Sequence, residues 1–161
     1  MSTTFVTERQ KDHLKAALEL TGSGGFMEDA IAVAAYRPGG EGNPEQIVAV
    51  AVFECFRGGR AELHFGMVGG RVPSLEIMQG IMGVAFHPRA LNLSRVMART
   101  PVENVNAICS LLKIGFQIEY RDRASLAGGR DAIVSSLDRD TILNHKAPAG
   151  PQPETSLDTG A

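Results

Sequence analysis

His64 and Glu62 stand two residues apart in a segment, Ala61 to Val68, that alternates apolar with polar residues. Side chains of a strand alternate between its faces, so Leu63, Phe65 and Met67 share one face while Glu62, His64 and Gly66 share the other. Placing a glutamate and a histidine on one face keeps that face partly wet or polar, because unpaired polar groups are costly to bury. The chemistry available to such a pair is proton transfer. Histidine exchanges a proton near neutral pH without tuning, whereas a glutamate must be buried before it holds one there. Each residue also suits a plainer role, His64 as a hydrogen-bonded structural histidine and Glu62 as a solvated strand residue.

Other reactive residue types lack the spacing that chemistry needs. His13, His87 and His145 fall on separate elements without ligand spacing, so no metal site is expected. No Ser-His-Asp order or nucleophile elbow is visible, and Ser110 reads as ordinary helix surface. Cys55 and Cys109 lie in an apolar strand and an apolar helix, the habitat of reduced structural cysteine. Arg121, Arg123 and Arg130 gather near the last hairpin, either as an anion or partner patch or as a solvated rim.

The elements that must position these residues follow from periodicity and punctuation. A first helix is expected over Glu8 to Leu20, with Thr7 as its cap, Gln10 reaching back, and Leu14, Ala17 and Leu18 facing inward. Ala30 to Tyr36 alternates as a strand. Gln46 to Phe56 is almost continuously apolar, as suits a strand covered on both faces. Gly58 and Gly59 form a two-residue hairpin into the His64 strand. Ser74 to Phe86 reads as a helix, with Gly80 and Gly83 permitting close packing, followed by a short strand over Arg95 to Arg99.

The stretch from Thr100 to Arg123 carries the densest pattern. Thr100 and Glu103 suit a capping box, Pro101 a first helical position, and Val105, Ile108, Cys109, Leu111 and Leu112 an inward stripe. Gly115 stops that helix, and Phe116, Ile118 and Tyr120 alternate as a strand. A final strand is expected over Asp131 to Leu137. This arrangement resembles the last conserved segment of the GNAT superfamily of acetyl-coenzyme A dependent N-acyltransferases, in which Pro-Glu-Asn precedes one helix and Gly-Phe opens the next strand. Here those residues are Pro101, Glu103, Asn104, Gly115 and Phe116. The match continues through Arg121, Arg123, Gly129, Asp131 and Ser135, is closest to the ribosomal-protein N-acetyltransferase branch and to GNAT-like proteins of tailed phages, and covers roughly Phe26 to Arg139.

The resemblance implies an α/β (α+β) fold with a mixed, mostly antiparallel central sheet and helices on both faces. It implies transfer of an acetyl group from acetyl-CoA, as co-substrate, to a primary amine of a protein or small molecule, with His64 or Glu62 as the base. The cofactor would lie against Met67, Val68, Gly69, Gly70, Arg71, Ser74 and Asn104, its phosphates meeting free amides and a positive helix end. The chain departs from the family twice. The usual Gln/Arg-x-x-Gly-x-Gly/Ala loop is replaced by Gly69-Gly70-Arg71-Val72-Pro73-Ser74, which reads equally as a Gly-Gly turn into a helix, and Leu111 stands where many relatives carry an acidic tyrosine. The alternative is a catalytically inactive GNAT-fold structural or interaction protein of phage descent.

Composition sets the remaining expectations. With 161 residues, 43% of them hydrophobic, the chain can bury one core without disulfide or metal. It is read as a single domain over residues 1–145, followed by a disordered tail over 146–161. A net charge of -2 and a pI near 6.1 give no global reason to expect nucleic acid or an anionic membrane as partner. No signal-like or membrane-spanning run is evident, so a cytoplasmic location is expected, and a homodimer is compatible with the sequence. The acceptor groove is assigned to the first helix, the Gly22 to Gly25 loop and the last hairpin.

Overall fold

The computed structural model describes residues 2–145, so the tail assigned to 146–161 lies outside the described residues. Seven strands form one sheet: β1 (Thr4–Val6), β2 (Ile31–Arg37), β3 (Gln46–Arg57), β4 (Arg60–Met67), β5 (Arg95–Pro101), β6 (Gln117–Leu126) and β7 (Arg130–Asp138). Their order across the sheet is β1-β2-β3-β4-β5-β7-β6, and every neighbouring pair is antiparallel except β4 and β5. Helices α1 (Gln10–Thr21), α2 (Leu75–Phe86), α3 (Val105–Lys113) and α4 (Arg139–His145) complete the fold. This is the mixed, mostly antiparallel α/β sheet expected from the sequence.

β3 is central because it has something to bury on both sides. Ala49, Ala51 and Phe53 face α2, whose Ile77, Met78, Ile81 and Met82 fill one core, while Val50 and Val52 face Ala17 of α1 in a second. Alanines at positions 35, 49, 51, 61 and 98 let α2 lie close to the sheet. The Gly58-Gly59 hairpin takes positive φ at both residues (55° and 79°), as a two-residue turn of this kind requires. Gly80 is filled from outside, for the Phe5 ring of β1 packs where a side chain would stand, whereas nothing approaches Gly83.

Four local expectations are corrected. α1 starts at Gln10 behind a left-handed Arg9 and has no side-chain cap from Thr7; Gln10 does reach back, donating to the Thr7 carbonyl, while its amide also bridges to the Ala32 backbone in both directions (2.8 Å each), tying helix to sheet. Ala17 is buried and Leu14 packs against the same core as expected, but His13 is the other fully buried residue of α1 and Leu18 is exposed. The third helix does not start at Pro101: Thr100 and Pro101 pair with Ile133 and Ala132 of β7, so strand pairing overrides the capping box and Asn104 caps the helix instead. The inward stripe also differs from the expected one: Ser110 and Leu111 are buried while Val105, Cys109 and Leu112 face outward. Ser110 is therefore not surface.

Candidate active site

β4 and β5 run side by side from Arg60 and Arg95 only as far as Leu63 and Ala98. Beyond that pair they diverge, while β5 stays zipped to β7 through Pro101. β4 itself stays paired with β3 as far as Met67, and its Gly66 lies closely against Leu20 of α1. A strand edge that stops pairing leaves backbone N–H and C=O groups in need of partners. Into the gap opens a cavity of about 280 Å³, lined by His64, Phe65, Ala98, Thr100, Ser110 and Leu111 among others. A second hollow of about 260 Å³, with Met67, Gly70, Arg71, Pro73 and Asn106 in its wall, continues it outward, sharing Phe65, Pro73, Asn104 and Ala107 with the first.

His64 sits at the inner end of this cleft. Its Nε2 lies 2.7 Å from Glu54 Oε1, and the Phe26 ring packs on its imidazole at a centroid distance of 5.6 Å. Glu54 is only 8% exposed and its other oxygen, Oε2, accepts the Met27 amide at 2.6 Å. A β-bulge delivers this carboxylate: Cys55 adopts φ 58° and the β3/β4 register slips between Glu54 and Arg57, the usual way in which a strand re-aims one side chain. Burial pushes the Cys55 thiol up from its ordinary value, with the nearby Glu54, Glu62 and Asp29 carboxylates adding to it. That thiol is a poor nucleophile at neutral pH.

Glu62 is otherwise engaged. Its Oε1 lies 3.6 Å from Arg99 Nε, and Arg99 also pairs with Asp122 across β7. A third hollow of about 250 Å³, lined by Arg57, Arg60, Glu62 and Met97, reaches Arg99 from the other side, so that Arg99 borders both this hollow and the cleft at His64.

Of the residues expected to hold a cofactor, Met67, Gly70, Arg71 and Asn104 line the outer cleft. Val68 is 44% exposed and Gly69 faces open space. Ser74 caps α2 by accepting from the Ile77 amide (3.3 Å), and Asn104 caps α3 by accepting from the Ala107 amide (3.2 Å). Gly69 and Gly70 both take positive φ (77° and 61°), turning the chain sharply between β4 and the N-terminus of α2. In the last hairpin's basic cluster Arg121 pairs with Asp131 at 2.6 Å, and Arg130 donates to the Ala127 carbonyl at 3.3 Å. Among the described residues no cluster of three metal-ligating side chains occurs, and no helix is long and apolar enough to cross a membrane.

No family model and no curated protein matches the chain. Solved structures do. The chain is similar to the spermidine/spermine N-acetyltransferase SpeG from Vibrio cholerae, with a TM-score of 0.72 at 13% identity over 91% of this chain and 100% of that one. It is also similar to an IAA acetyltransferase from Bacillus cereus, with a TM-score of 0.67 at 14% identity over 85% of this chain and 99% of that one. The fold is the GNAT fold.

Of the residues the sequence singled out, His64, Asn104, Gly70 and Arg71 border the cleft; Thr100 and Ser110 line it, and Glu54 and Phe26 contact His64, without having been assigned to it from sequence. Glu54 had one legible signal, a lone carboxylate inside an otherwise apolar central strand. Nothing in the sequence pairs it with His64, because the bulge that aims it arises from register.

Proposed function

We propose that the protein transfers an acetyl group from acetyl-CoA to a primary amine of a protein or small molecule, with His64 as the proton acceptor. The observation that carries this reading is the parting of β4 and β5 beyond Leu63 and Ala98 with His64 at the edge of the gap. A narrow cleft edged by unpaired strand backbone suits a chain of alternating amide and methylene groups such as the pantetheine arm. Arg71, Gly70 and the start of α2 would hold the phosphates at the outer end, with Asn104 and Ala107 flanking the arm. Pro73 contributes no amide there, so Arg71 carries more of the anion binding than a fully amide-lined loop would need. Val68, Gly69 and Ser74 take part through the shape of the turn.

Acetyl-CoA supplies an activated acyl group, and the protein has to orient the amine and take its proton. His64 stands where it can take that proton, and the Phe26 ring covers one side of its imidazole. Glu62, held by Arg99, is better suited to shaping the acceptor side than to acting as base. Leu111 offers no proton to the leaving thiolate, and the hydroxyls of Thr100 and Ser110 are among the polar side chains that line the inner cavity. The acceptor would enter over Arg99 from the hollow beside Glu62. The structural neighbours named for spermidine/spermine acetylation favour a small-molecule amine, and we place the protein in the cytoplasm as a monomer or homodimer. The cleft favours catalysis over an inert scaffold.

The test is a thermal melt with acetyl-CoA. A ligand of the native state at a hundred times its Kd adds about 2.7 kcal/mol to stability, an easily read upward shift. No shift at millimolar acetyl-CoA would overturn the assignment.

A further inference from the structure

We infer that Glu54 is a positioning residue, which fixes His64 as its Nε2–H tautomer and so makes Nδ1 the atom that accepts the proton. The inference rests on the reading of His64 as base, and it stands on geometry that is independent of any acceptor. Glu54 uses both carboxylate oxygens. Oε2 accepts the Met27 amide (2.6 Å), and Oε1 meets His64 Nε2 (2.7 Å). A carboxylate can only accept, so Nε2 must carry the hydrogen, and the lone pair of a neutral imidazole is then left on Nδ1. Among the described residues, Nε2 is the His64 ring nitrogen that has a protein partner.

The surroundings hold this arrangement from several sides. Phe26 packs on the ring, Cys55 Sγ lies 3.5 Å from Met27 Sδ, and Asp29 accepts the Phe56 amide at 3.3 Å. The segment from Phe26 to Asp29 is thus pinned along the bulged end of β3, and Glu54 is the side chain that joins it to the imidazole. The charged groups around His64 are Glu54 on β3, Glu62 on β4, Arg99 on β5 and Asp29 in the pinned segment. Proton transfer is balanced within this set: one N–H bond breaks at the attacking nitrogen and one forms at Nδ1. The imidazolium charge is compensated by Glu54, which takes no proton itself.

The variant Glu54→Gln tests this without removing volume. Met27 presents only a donor, so the carboxamide oxygen must turn to it and the amide NH₂ must turn to His64. That forces Nε2 to become the acceptor and moves the ring hydrogen to Nδ1. Long-range ¹H–¹⁵N correlation of the imidazole, assigned with H64Q, is expected to show the Nε2–H tautomer in the native protein and the Nδ1–H tautomer in E54Q. Turnover in E54Q is expected to fall by about 10²-fold or more, while the melting shift with acetyl-CoA is kept. A native Nδ1–H tautomer, or an E54Q protein that keeps Nε2–H, overturns the inference, and the native spectrum alone decides it if E54Q does not fold. Absence of any acetyl-CoA shift beside the expected native tautomer would instead overturn the assigned activity and leave Glu54 in its place.

Discussion

Leu63 and Ala98 are the last partners that β4 and β5 share, and β5 continues beyond them bonded only to β7. Every residue assigned here to the cofactor lies on the open side of that point. The cleft is therefore a property of strand pairing, and side chains decide only what it admits.

A plug at the junction of its two hollows should separate binding from folding. Ala107 borders both, on the first turn of α3. Ala107→Leu places a larger side chain in the passage at a position where leucine is almost as good a helix former as alanine. The expected result is a melting point close to the parent, with a cost of about 1 kcal/mol or less, and loss of the stabilisation by acetyl-CoA. An undiminished cofactor shift would show that the passage is not the binding site.

Replacement of His64 tests the chemistry apart from the cofactor. Alanine would strand the buried Glu54 oxygen, so glutamine, which can still donate to it, is the cleaner choice. His64→Gln is expected to lower turnover by about 10²–10⁴-fold with little change in the cofactor shift. Unchanged steady-state rates would remove His64 from the reaction.

The sequence made the frame legible where one signal dominated. The apolar run of β3, the alternation of β4 and the double glycine between them each specify a single answer, and all three appear as expected. It failed where two local signals competed. Thr100-Pro101 satisfies a helix start on paper, but backbone pairing of β5 with β7 uses those residues first, and the helix starts at Val105 behind Asn104. Three-residue β1 is too short to carry a period, and only its Phe5 ring against Gly80 reveals what it does. The His64–Glu54 contact joins residues on paired strands through a bulge, a register effect that no spacing rule records.

Gly80 makes a prediction whose sign changes with background. An added methyl there would overlap the Phe5 ring, which is the side chain that fastens β1 to the core. Gly80→Ala should then cost about 1–2 kcal/mol, the overpacking outweighing the gain in helix propensity. In a Phe5→Ala background the obstacle is gone, and the same substitution should stabilise by up to about 1 kcal/mol. Denaturant titration of the four proteins reads the coupling directly, and additive effects would mean that Phe5 does not occupy this notch.

Buried His13 should give the protein a pH dependence near neutrality. It is 1% exposed, with Nε2 2.8 Å from Tyr36 Oη. Burial holds its pKa below the ordinary value of 6.5, with the Arg9 charge adding to the effect. In the unfolded chain the imidazole titrates near 6.5, so as pH falls below that value the unfolded state takes up the proton first. The contribution of His13 is therefore complete above pH 6.5 and declines towards its lowered folded value, with a slope of at most about 1.4 kcal/mol per pH unit. Glutamine can keep a hydrogen bond to Tyr36 without titrating, so His13→Gln should lose stability more slowly than the parent between pH 6.5 and 5.5. Two carboxyls act lower. The Ser136 hydroxyl holds Glu119 below its ordinary 4.5, and the Ala124 amide with Arg121 holds Asp131 below its ordinary 3.8. Their contributions are present above those values and fade only as pH falls below them. Urea midpoints measured from pH 7.5 down to about pH 2.5 in both proteins resolve the two ranges, and parallel curves between 6.5 and 5.5 would show that His13 gains its proton as readily folded as unfolded.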